Sequence, residues 1–308
     1  MSAKARQRPS LEWADSIWYY KAGFAAWFFL QAGAAIFLSL FKFGDDGEGE
    51  GEGDCTWLST TLNVTSDYRT DGSIKDPASA GALYYGWPVI GQVGPVNLGL
   101  VIGLASASEL LWLLVQLFFH EREIAMISND HNPYRWWRFG WSHGLLFLAI
   151  ALEAGVPNVW LLVFTVMAVL TWLVDFNNTE RYNSVAVNQS RFQRVAADER
   201  TNWYVYDDFL FALGNFVVVA VMLFVYLGNA ASPDEFDVEG VGLPAIAWVG
   251  PIAGVAIYLG LPIILALHHS ETAIVSVYDK ERALFWWQFV FITAITWLSL
   301  GFFTQIDC

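Results

Sequence analysis

Glu109 in "SASELL" and His143 in "GWSHG" are ionisable residues set inside apolar stretches of helix length. Ionisable groups at that depth are expensive and require partners. Each lies about ten residues from the end of its stretch, so at about 1.5 Å per residue both reach roughly 15 Å into a bilayer. One reading pairs Glu109 with His143 and places Arg138 or Arg135 nearby as a cationic lid. The other keeps Glu109 neutral, hydrogen-bonded to Ser106 or Ser142 between helices. A second cluster, "HHSE" at 268–271, holds His268, His269 and Glu271, types that ligate metals or titrate near neutral pH. Interfacial histidines are common at helix ends, so these three are weak candidates and no metal is assigned. No HExxH, nucleotide loop or Ser-His-Asp pattern accompanies them, and no enzymatic activity is expected.

The elements that must position these residues are membrane helices. The chain has 308 residues, 56% hydrophobic and 15% charged, with a mean hydropathy of +0.41. A soluble domain carries about a quarter charged residues, and here the apolar excess comes in blocks. Seven such blocks fall near 16–43, 94–119, 134–154, 157–176, 207–228, 244–267 and 284–304, predicting one all-α membrane domain over 1–308. The polar arm "MSAKARQRPSLEW" before a long first block is unlike a cleavable signal peptide. Most Lys and Arg fall on the side of the N-terminus and loops 120–133, 178–206 and 268–283, which predicts a cytoplasmic N-terminus and an outer C-terminus in the plasma membrane. The net charge of −14 excludes a nucleic-acid partner and fits a surface adapted to high salt, a halophilic signature. The run "DDGEGEGEGD" (45–54) supplies much of that charge.

The outer loop 44–93 is long for a helix connection, and its runs "CTWLSTTLNV" and "ALYYGWPVI" are β-prone, predicting a small external β element. The sequon at Asn63 lies in this loop. Cys55 and Cys308 are both expected outside, where either two free thiols or a bridge is compatible with the sequence. Pro251 and Pro262 stand eleven residues apart in the sixth span and predict kinks that open space toward the seventh.

Several stretches resemble the heliorhodopsins, seven-helix rhodopsins with an inverted topology and a long first external loop. "NPYRWWRFGWSHG" (132–144) is similar to that family's third-helix motif, "DFNNTERYN" (175–183) to the end of its fourth helix, and "YDKERALFWWQFVFITAITW" (278–297) to the run into its seventh. The resemblance implies a retinal Schiff base on a seventh-helix lysine, and both ways of counting place that position at Ile292. It implies a glutamate counterion where Arg138 stands. Without an amine there is no imine, so Ile292, Arg138 and Arg135 read as a vestigial chromophore site in a divergent relative. Glu109, His143, Ser106 and Ser142 then form a polar core, with Trp286, Trp287 and Trp297 as pocket wall. The expected function is sensory or regulatory, through a cytoplasmic protein partner docking on the Arg-rich inner loops, for which positive-inside topology alone is the plainer explanation. The alternative is a non-covalent binder of retinal, a carotenoid or another apolar ligand; an ion or solute carrier has less support. The resemblance also implies a homodimer in the lipid bilayer.

Overall fold

The computed structural model describes residues 11–43, 59–65, 89–154, 156, 158–183, 203–230, 246–269 and 276–305. In order these form α1 (Leu11–Phe43), β1 (Ser59–Thr65), β2 (Val89–Asn97), α2 (Leu98–Phe118), α3 (His120–Ile127), α4 (Pro133–Glu153), α5 (Val159–Asn183), α6 (Trp203–Ala230), α7 (Ile246–Tyr258), α8 (Gly260–His269) and α9 (Val277–Gln305). Six stretches are long and apolar enough to cross a membrane: Trp13–Ser39, Leu98–Phe118, Val159–Arg181, Asp207–Gly228, Val249–His268 and Val277–Leu300. This is a multi-pass helical membrane protein. Large apolar side chains such as Phe29, Leu111, Phe211 and Val218 are exposed on the outside of the bundle, as expected where the solvent is lipid rather than water.

The helix starts follow from their capping residues. Asn97 accepts from the Leu100 N–H at 3.0 Å and opens α2. Asn132 caps α4, with Pro133 occupying the first-turn position where a missing N–H does no harm. Ser276 accepts from the Asp279 N–H at 3.2 Å and donates to its carboxylate at 2.6 Å, a reciprocal cap that opens α9 seven residues earlier than hydropathy suggested. Polar first turns of this kind are invisible to a hydropathy window. Helix α3, eight residues long and half charged or polar, is likewise too short and too polar for a hydropathy window to find.

β1 and β2 pair antiparallel, Ser59 opposite Asn97 and Asn63 opposite Gln92. β2 runs to Asn97, so the second span begins at Leu98 rather than near 94.

Helices α1 and α2 pack together, then α2 on α4, α4 on α5, and α5 on α6. Helix α9 touches α1, α2, α4, α7 and α8, so α4 and α9 are the inner pillars. Phe139, Leu146, Phe147, Ala149 and Ile150 of α4 are fully buried, as are Phe291, Ile292 and Ile295 of α9.

The sixth span is not one continuous helix. It breaks at Leu259 between α7 and α8, three residues before Pro262, where the flanking bonds Leu259 N–Val255 O and Ile263 N–Leu259 O stretch to 3.3 and 3.4 Å. The expected opening toward the seventh helix is filled. A Cβ on Gly260 would stand 2.7 Å from Trp287 Cδ1, and one on Gly254 would stand 2.8 Å from Ile150 Cδ1. At Gly260 the rigid indole occupies the room a side chain would need, whereas at Gly254 the tip of Ile150 would have to shift.

Candidate functional site

Two polar layers are buried between the helices. The first lies in the middle of α4 and α9. Glu109 of α2 meets Arg138 of α4, Oε1 to Nε at 3.1 Å, and the same guanidinium donates to Gln116 Oε1 at 3.0 Å. It also lies 5.1 Å over the Phe285 ring. Gln288 of α9 donates to Glu109 Oε2 and to Ser142 Oγ, both at 3.1 Å. The carbonyl oxygen of Gln288 meets His143 Nε2 at 2.5 Å. On the far side His143 Nδ1 is 3.1 Å from the Tyr258 hydroxyl, which accepts from Trp172 Nε1 at 2.7 Å. Assigning donors along this chain gives one consistent solution, with His143 carrying its proton on Nε2 and Tyr258 donating to Nδ1.

Glu109 and His143 thus belong to one assembly, with Gln288 standing between them. Arg138 is the direct partner of Glu109. Ser142 joins through Gln288, whereas Ser106 is elsewhere, accepting from Gln31 Nε2 at 2.9 Å. Ile292 is fully buried one turn beyond Gln288. Its surroundings are packed with rings: Tyr258 lies 5.2 Å from Phe291 and 5.5 Å from Trp287, and Phe147 lies 5.0 Å from Tyr258. Of the three tryptophans assigned to a pocket wall, Trp287 alone points inward, its indole donating to the Ile257 carbonyl at 2.8 Å. Trp286 and Trp297 are 41% and 43% exposed on the outer face of α9, which corrects their assignment. Helical period explains this: Trp286 and Trp297 are eleven residues apart, three turns, and share a face that turns away from α4.

The second layer closes the end of the bundle where α3 joins α4. Arg135 pairs with both Glu180 and Glu281, so it is not part of the Ile292 site. Lys280 lies 2.7 Å from both Asp130 and Glu180, and Lys21 pairs with Glu123. His268 Nε2 is 2.9 Å from the Asp130 carboxylate. Asn132 donates to Glu123 at 3.0 Å and to Glu281 at 3.3 Å, and Trp136 Nε1 donates to Glu180 at 2.7 Å. Asp130 sits at φ 62, a left-handed conformation that aspartate tolerates better than most residues. Burial alone would push its carboxyl up, but Lys280 and His268 hold it down at about 2. His120, at the start of α3, is pushed down by burial and by the charge of Lys21.

Between the layers lies a cavity of about 20 Å³ lined by Lys21, Gln116, Asn132, Arg135, Arg138 and Phe285, among others. That is room for one water molecule, far below the several hundred Å³ of a cofactor pocket.

The sequence reading missed Lys21, Asp130, Lys280, Gln288 and Tyr258. The signal available was weak: lysine and glutamate beside helix ends normally reach out to water, and nothing local shows that these turn inward. His268 is engaged with Asp130, while the side chain of His269 and residue Glu271 lie outside the described residues. No metal-ligating group of three or more residues occurs among the described residues. Cys55 and Cys308 also lie outside them.

A scan of protein-family models finds no match to this sequence, and a search of curated proteins finds none either.

Proposed function

We propose that this chain is a seven-span, heliorhodopsin-like membrane protein that acts through protein partners and works without a covalent chromophore. In this reading α4 is the third of seven spans; Arg135 and Arg138, which pair inside the bundle, help to lower its hydropathy. The N-terminus faces the cytoplasm of a plasma membrane, on the evidence of the Lys and Arg distribution. The observation that carries the proposal is the centre of the bundle. At the level where a retinal imine would stand, Ile292 is buried and the space beside it holds a hydrogen-bonded chain from Glu109 to Trp172. A buried aliphatic side chain needs no counterion, which agrees with an arginine at position 138 pairing with Glu109.

The test is reconstitution with all-trans retinal followed by visible absorption spectroscopy. The wild-type protein is expected to stay colourless. Ile292→Lys, alone and combined with Arg138→Glu, is expected to gain a visible band only when Trp287 is also truncated to make room. A visible band in the wild type would sink the proposal: one that washes out in detergent points to non-covalent retinal or carotenoid binding.

A further inference from the structure

Farther along α4 and α9 from the Glu109 layer, one buried carboxyl among the described residues is left out of every ion pair there. Glu153 is 8% exposed, and its Oε1 atom has no hydrogen-bond partner. Thr296 and Ser299 of α9 are 0% and 1% exposed; the Thr296 hydroxyl has no hydrogen-bond partner, and that of Ser299 faces only the Glu153 carboxyl. The three helices meet here in register. One turn deeper, Ile150, Gly254 and Ile295 touch, a Cβ on Gly254 lying 2.8 Å from Ile150 and 3.6 Å from Ile295. One turn outward from these come Glu153, Gly250 and Ser299. Ser299 lies beside the Glu153 carboxyl, and a Cβ on Gly250 would stand 2.5 Å from Glu153 Oε2. Gly250 therefore lets α7 close onto the carboxylate. Pro251 lacks an N–H, so the Ala247 carbonyl of α7 has lost its helical donor at the same end of the bundle.

We propose that Glu153 and Ser299, with Thr296 one turn before Ser299 on α9, form a site for a monovalent metal cation of sodium type. A hard cation takes oxygen ligands, and unpartnered buried oxygens are its natural donors. The helix end adds to the attraction: Glu153 is the last residue of α4, at the negative end of the helix dipole. Among the described residues no Lys, Arg or His acts on Glu153. One carboxylate balances one positive charge, whereas a divalent ion would leave net charge in a low-dielectric interior.

The test is thermal unfolding of the full chain in nanodiscs, with sodium chloride titrated against N-methylglucamine chloride at constant ionic strength. Sodium at about ten times its midpoint is expected to raise the wild-type Tm by about 2–4 °C, with saturation. The rise should vanish in Glu153→Gln and fall to less than half in Ser299→Ala and in Thr296→Val. Should Glu153→Gln fail to fold, the two hydroxyl variants carry the test. An equal wild-type Tm in both salts overturns the site, as does a full sodium response in all three variants. A wild-type Tm that follows pH with no difference between the salts identifies a protonated acid instead and equally overturns it.

Discussion

Asp130 links three elements through one carboxylate, and its chemistry gives a pH signature. Its carboxyl is held at about 2 in the fold, against about 3.9 in an unfolded chain. A depressed carboxyl contributes stability that is complete above about pH 4 and is lost as pH falls through about 2; the size is roughly 2–3 kcal/mol. Asp130→Asn should therefore lower Tm at pH 7 and flatten the loss of stability between pH 4 and 2, read by circular dichroism in detergent. Tyr258 provides a second residue-scale test. Removing its hydroxyl in Tyr258→Phe leaves Trp172 Nε1 and His143 Nδ1 unpaired, at about 1–3 kcal/mol for each orphaned atom. If Tm is unchanged, the chain through Tyr258 is not formed. Neither residue stood out in the sequence. Aspartate before a capped helix and tyrosine in an apolar run are ordinary, and their partners lie 138 and 115 residues away.

At the scale of elements the sequence was more legible. Long apolar blocks locate the helices because lipid leaves the chain no alternative to internal backbone bonding. The errors sit at the ends, where caps rule, and at the α7–α8 break. There the helix breaks three residues before Pro262, whereas Pro251 sits inside the continuous α7, and the expected void is filled by Trp287. Trp287→Ala should reopen that space, lowering stability by about 3–5 kcal/mol and making the interior accessible to a hydrophobic dye that the wild type excludes. An unchanged Tm would show that α8 collapses onto α9 instead.

For the whole molecule, the second polar layer is what fastens the helices at one end. Lys21 and Glu123 are 102 residues apart, Arg135 and Glu281 146, Lys280 and Asp130 150. No local pattern announces such pairings, which explains why the topology could be read and the lock could not. Cutting one member strands its buried partners, so Glu180→Ala should cost about 3–5 kcal/mol. Because the groups are buried, added salt should not restore the loss; recovery at high salt would place the cluster at the surface. The homodimer that the heliorhodopsin resemblance implies would give a particle of twice the 34.5 kDa chain mass by native mass spectrometry.

The chain through His143 has a sense of travel. Trp172 gives to Tyr258, Tyr258 to His143, His143 to Gln288, and Gln288 to Glu109. Hopping conduction of a proton needs every station to receive on one side and release on the other. An indole N–H only releases, and an amide holds its hydrogens on nitrogen while receiving on oxygen. The first station and the fourth thus break the relay, so this chain is an oriented brace that fixes five helices without opening a path for protons.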